Sequence, residues 1–155
     1  MIFSRPCQHA IRALIHLASH QDAGRCQVQE IAEAEGLPAA ALALVLQSLV
    51  RSGLVKSQKG PRGGFALARP PAEIDLHHVM EICGDTRSLS QCVLGLDMCS
   101  DELPCPVHTM FRDIRYQLVQ ELKAVTVADL AHVVLRAEGG QGREQEEGRR
   151  VQGEG

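Results

Sequence analysis

The sequence predicts a mainly α-helical protein with one small β-hairpin: a winged helix-turn-helix domain followed by a long dimerisation helix. Three observations carry this. Two helical stretches meet at a short turn around Gly36 and Pro38. Two short alternating segments then flank the basic turn "KGPRGG". Further on, an apolar stripe at helical spacing follows a loop rich in cysteine.

Phe3, Cys7, Ala10, Ile11, Leu14 and Leu17 recur at spacings of three and four, the buried stripe of an amphipathic helix that ends before Gly24. A second, shorter helix runs from about Val28 to Glu35 with Ile31 and Ala32 inward. Gly36 stops it in the way of a helix C-terminal glycine. Pro38 suits the first turn of a third helix, where its missing N–H costs nothing, and "AAALALVLQSLVRS" carries that helix to Gly53. "LVKSQ" and "FALAR" alternate as strands do, and the turn between them makes a hairpin. Its glycines Gly60, Gly63 and Gly64 permit positive φ and a close approach to another surface.

Composition sets the limits of function. The chain has 155 residues and 45% hydrophobic content, enough for one core or a small domain with an appendage. With no Trp, one Tyr and three Phe, platforms for stacking single-stranded bases are absent. The net charge of −3 is unlike that of a nucleic-acid binder, but its distribution is informative. No Asp or Glu lies between Gly36 and Ala72, whereas Arg51, Lys56, Lys59, Arg62 and Arg69 do. Such a local field attracts phosphate whatever the total. Double-stranded DNA is therefore the expected partner, met by Pro38, Ala40, Gln47, Ser48, Arg51, Lys59, Gly60, Arg62, Gly63 and Gly64. The start of the third helix offers few donors or acceptors before Gln47 and Ser48, so base reading there is weak or rests on thymine methyl groups. Arg51 and the wing supply mainly phosphate affinity, which positions without specifying.

Cys92, Cys99, Cys105 and His108 fall within 17 residues, in a stretch broken by Gly95 and Pro104 that no regular helix or strand can span. Thiolates and an imidazole so grouped are what a metal or an iron-sulfur cluster requires. Cysteines also occur as small buried hydrophobes, the reading given to Cys26 and Cys83, and as disulfides. The N-terminus has no apolar signal core and no apolar run approaches ~18 residues, so a reducing cytoplasm and no membrane are expected. There, grouped cysteines more often hold metal than each other. Spacing alone does not separate zinc from iron-sulfur, since three sulfurs and one nitrogen also satisfy tetrahedral zinc. No set of nucleophile, base and orienting group occurs, and no Gly-rich phosphate loop precedes a helix, so an enzyme is not expected.

"IAEAEGLP", "LVRSGLVKSQKGPRGGFALARPP" and "IDLHHVMEICG" together resemble the winged-helix family of bacterial iron-sulfur regulators that includes IscR and NsrR, over residues 1 to about 135. The resemblance implies a homodimeric transcription factor whose DNA affinity depends on an iron-sulfur cluster sensing redox state, cluster status or nitric oxide. It places the three cysteines at the family's ligand positions and His108 at the fourth ligand of the IscR type. Some members take that ligand from the partner's first helix, at a position equivalent to Gln8, but a carboxylate suits the role better and His108 is favoured. A nitrogen ligand raises the reduction potential and favours 2Fe-2S over 4Fe-4S.

On this reading residues 1–86 form the winged helix-turn-helix domain and 87–108 the cluster-binding loop. Residues 109–137 form the dimerisation helix and a terminal short helix, and 138–155 a disordered tail. Val107, Met110, Ile114, Leu118 and Leu122 make the stripe of the long helix, which pairing with a second copy would bury. Thr126 and Asp129 have capping-box spacing for the last helix. His16, His20, His77, His78 and His132 are read as ordinary helix residues.

Overall fold

Ser4 starts the first helix, its hydroxyl accepting from the backbone N–H of Cys7 at 3.3 Å. The structure, a computed structural model, describes residues 2–96, 100–102 and 104–137. The predicted tail over 138–155 lies outside the described residues. Helix α1 spans Arg5–Ser19, α2 Val28–Glu35 and α3 Ala39–Arg51. Strands β1 (Val55–Gln58) and β2 (Gly64–Leu67) form the hairpin, followed by α4 (Leu76–Cys83), the short α5 (Arg87–Ser90) and the long α6 (Pro106–Ala124). A last helix, α7, covers 127–137.

The periodic stripe of α1 becomes the centre of the molecule. Cys7, Ala10, Ala13 and Leu14 are fully buried, and α1 packs on both α3 and α4. Leu42, Leu46 and Leu49 of α3, Leu54, Ile31 of α2, Ile74, Val79 and Met80 complete one core. Arg12 and His16 on α1 both reach Glu35 at the end of α2, at 3.2 and 3.3 Å, and hold the first two helices together.

The chain turns by 118° between α2 and α3, within the usual range for a helix-turn-helix. Helix α2 begins with a reciprocal capping box between Gln27 and Glu30, and Gly36 ends it in the left-handed conformation expected. Pro38 departs from expectation. Its ψ of 118° is extended, so it precedes α3 as the cap residue instead of occupying the first turn. At the other end α3 stops at Arg51, two residues before Gly53.

The hairpin pairs antiparallel from Val55 with Leu67 to Gln58 with Gly64. A feature absent from the sequence reading anchors it: Cys26 forms an isolated bridge with Phe65, with hydrogen bonds of 3.0 and 2.8 Å. A second bridge, Asp75 with Thr126, stitches the joint between α6 and α7 to the chain before α4. There Leu76 N–H donates to the Val125 carbonyl and Val127 N–H to that of Ile74. Consequently the base of α6 belongs to the main core, where Leu122 and Val127 are buried. The capping box of α7 forms as predicted, with Thr126 N–H donating to the Asp129 carboxylate at 2.8 Å.

Candidate nucleic-acid interface and cysteine loop

Helix α3 buries one face against α1 and leaves Ala40, Leu44, Gln47 and Arg51 exposed, residues that share one stripe at spacings of four, three and four. Leu44 is 67% exposed, unusual for leucine at a helix centre, and nothing in the local apolar pattern of α3 marks it as such. Arg51 is held along the helix by its guanidinium, which donates to Ser48 Oγ at 2.9 Å, and that hydroxyl in turn donates to the Leu44 carbonyl at 3.3 Å. Ser48 therefore positions Arg51 more than it offers itself. The stripe carries two side chains able to form two hydrogen bonds with a base edge, Gln47 and Arg51. Leu44 and Ala40 suit thymine methyl groups.

A cleft opens between the start of α2, the second half of α3 and the hairpin. Of the residues predicted to meet DNA, it gathers Gln47, Arg51, Lys59, Gly60, Gly63 and Gly64. It adds Gln27, Gln29, Ser57 and Gln58, none of which charge patterning could have found. Pro38 and Ala40 lie toward the N-terminal end of α3, outside that cleft. Arg62 lies on the other side of the hairpin tip, in a hollow shared with Arg25, Gln27 and Glu30. The tip is tightly wound. A Cβ on Gly63 would lie 2.3 Å from the Gln58 carbonyl oxygen, so only glycine fits.

The cysteine loop leaves α5 at Gln91 and returns at the start of α6. Cys105 is the cap residue of α6, and its sulfur accepts from His108 N–H at 3.3 Å, which explains why the helix begins there, with Pro106 first. His108 Nε2 lies 3.0 Å from Asp101 Oδ1, and Arg112 reaches the same oxygen at 3.8 Å. At the other end of the loop the Arg115 guanidinium donates to the Gln91 carbonyl. Both ends of the loop are thus fastened to α6, by Asp101, Arg112 and Arg115, residues the spacing of cysteines did not point to.

This arrangement brings Cys92, Cys105 and His108 around one small cavity, walled by Val107, Phe111 and Arg115. Cys99 lies outside the described residues. Among the described residues no three His, Cys, Asp or Glu side chains stand close enough together to hold a metal ion. The donor types nevertheless fit iron or zinc, two thiols and an imidazole at one cavity with a third cysteine in the intervening chain. Around the loop, Val93, Leu94 and Leu96 are exposed, and so are Met110 and Ile114, the upper half of the predicted α6 stripe. Among the described residues, no single helix is long and apolar enough to cross a membrane.

Comparison with known proteins agrees with this architecture. A regulator of the HTH type from Aquifex aeolicus is 36% identical over 135 residues, covering 86% of this chain and 93% of its own. IscR from Serratia proteamaculans is 27% identical over 125 residues, 81% of this chain and 76% of its own. Among solved structures, CymR of B. subtilis superposes with a TM-score of 0.70 at 24% identity, covering 84% of this chain and 96% of that one. T. potens IscR gives 0.67 at 24% identity, covering 87% and 89%. These relatives are transcriptional regulators and not enzymes. With its winged helix-turn-helix and a match over residues 3–133, the chain belongs to the Rrf2 family of iron-dependent transcriptional regulators and is a DNA-binding protein.

Proposed function

We propose that the protein is a homodimeric regulator whose affinity for its operator is governed by an iron-sulfur cluster, 2Fe-2S in type, on Cys92, Cys99, Cys105 and His108. The observation that carries this reading is that Cys92, Cys105 and His108 line one cavity at the start of α6. Membership of a family of iron-dependent regulators supports the choice of iron. When bound, the cluster supplies a centre that can change oxidation state or be lost. Cys105 and His108 would hold it from the start of α6. Cys92 would hold it from the chain that Arg115 fastens at Gln91. Asp101 orients the imidazole, the outer-shell role a carboxylate plays beside a ligating histidine.

The exposed Met110 and Ile114, each about half exposed, support a two-fold pairing along α6. In such a dimer the two α3 stripes would enter successive major grooves about 34 Å apart. A change in loop order that shifts the balance between competent and incompetent head placements by a few kcal/mol alters occupancy roughly a hundredfold.

Anaerobic purification followed by iron, sulfide and zinc analysis tests the proposal, on the wild type and on Cys99→Ala. The expected result is a coloured wild type with about equal iron and sulfide, a colourless variant, and duplex-DNA affinity that differs between loaded and stripped protein. A colourless wild type containing stoichiometric zinc would overturn it in favour of a zinc-stabilised DNA-binding protein.

A further inference from the structure

A second pair of sulfurs lies outside the loop, where the start of α1 meets the end of α4. Cys7 is fully buried and Cys83 half-buried against the same core. The two thiols lie close enough to interact directly, and the Asp85 carboxylate lies beside them. Asp85 is itself fixed there, accepting from Ser4 N–H at 2.7 Å, while Ser4 Oγ accepts from Cys7 N–H. Both cysteines are reduced. Packing alone does not require this arrangement, because two aliphatic residues would fill the junction without placing a carboxylate beside them.

We propose that Cys7 and Cys83 are a peroxide-oxidisable dithiol, in which Cys83 is the attacking sulfur and Cys7 the resolving one. Exposure assigns these roles, since Cys7 is fully buried and Cys83 only half-buried. The interaction with Cys83, reinforced by burial, holds the Cys7 thiol above the ordinary thiol range. The same interaction holds Cys83 below it, against burial and the Asp85 charge. A thiolate that is partly accessible and stabilised by a neighbouring S–H is the species that attacks peroxide.

The reaction balances with hydrogen peroxide as oxidant. The Cys83 sulfur attacks one peroxide oxygen and the O–O bond breaks. Cys83 becomes a sulfenic acid, and the departing hydroxide takes the original Cys83 proton as water. The Cys7 sulfur then attacks the Cys83 sulfur and the S–O bond breaks. The second hydroxide leaves with the Cys7 proton, again as water. The two thiols lose two electrons, and peroxide gains them. The resulting bond would join α1 to the residue just before Gly84, where the chain turns toward α5 and the cysteine loop. The inference does not depend on what the loop cysteines bind.

Peptide mapping tests it on the full-length protein, purified without oxygen and treated with hydrogen peroxide. Cleavage after Lys and Arg, sparing Arg-Pro bonds, puts Cys7 on residues 1–12, Cys26 on 26–51, Cys83 on 63–87 and all three loop cysteines on 88–112. The expected product is a linked pair of 1–12 and 63–87, lost on treatment with dithiothreitol. In Cys7→Ala the sulfenic acid should persist on Cys83 and be trapped by dimedone. In Cys83→Ala, oxidation of Cys7 should be at least about tenfold slower, because Cys7 is fully buried and peroxide reaches it poorly. Circular dichroism melts confirm that both variants are folded. Absence of the linked pair, or equal oxidation of Cys7 with and without Cys83, overturns the proposal.

Discussion

Replacing Gly64 by alanine should loosen the wing from the body of the domain. The backbone there has φ of +136°, and an added Cβ would lie 2.6 Å from the Cys26 carbonyl oxygen and 2.9 Å from its carbon. Both are backbone atoms, so a strand must move to relieve the overlap. That movement disrupts the two Cys26–Phe65 hydrogen bonds, each worth about 1 kcal/mol net. The unfavourable φ adds ~1–2 kcal/mol for a residue with a Cβ. Together these amount to about 3–4 kcal/mol. Gly60→Ala is the control, since φ is +108° there but nothing lies within 4 Å of the new Cβ, leaving only the backbone cost. With a urea slope of about 2 kcal/mol per molar, the Gly64→Ala midpoint should fall by ~1.5–2 M and that of Gly60→Ala by less than ~1 M. The assay is urea unfolding at one fixed protein concentration. Equal midpoints would refute the argument that contact with Cys26 holds the wing in place.

Other perturbations have equally definite outcomes. Lys59→Ala and Arg62→Ala should each weaken binding to every duplex alike and lower the slope of log affinity against log salt by about 1, as titration at several salt concentrations would show. Ile114→Glu should leave a monomer in sedimentation, because the exposed stripe of α6 would then carry a charge into the pairing surface. Asp101→Asn should reduce iron retention about 10- to 100-fold in competition with a chelator, by releasing the His108 ring from its carboxylate. The Asp129 pKa is depressed by its hydrogen bonds from Thr126. Its contribution to α7 is therefore complete above the ordinary carboxylate value of 3.8 and fades as pH falls through the lower, folded value. NMR titration should show that depression partly relieved in Thr126→Ala, which loses the hydroxyl donor but keeps the backbone N–H.

The helices were legible because each had a clear stripe and a stop, as with Leu14 and Leu17 in α1 or Gly36 after α2. The hairpin was legible from its turn residues. What could not be read was long-range pairing of single residues. The Cys26–Phe65 and Asp75–Thr126 bridges join positions far apart in sequence, and no local pattern marks them. The stripe of α6 shows the same limit. Periodicity identified Met110 through Leu122 as one apolar face, but Leu122 is buried in the protein's own core while Met110 and Ile114 remain exposed. Where along a helix burial stops depends on what packs beside it. At the loop, sulfur and imidazole were visible as letters, whereas Asp101 and Arg115 matter through geometry alone. Cys83 was read as a buried hydrophobe, since nothing in its neighbourhood announces that Cys7 lies opposite.

The double stitch at the joint of α6 and α7 makes the long helix a cantilever. One end is clamped by hydrogen bonds to Ile74 and Leu76, and the free end carries Cys105. Nineteen residues at 1.5 Å each give an arm of about 28 Å. A displacement of about 3 Å at the tip corresponds to a pivot of only ~6° at the clamp, little enough for the core to tolerate by side-chain adjustment. Run in reverse, a slight rotation at the clamp is amplified into a shift of about 3 Å at the first turn of α6.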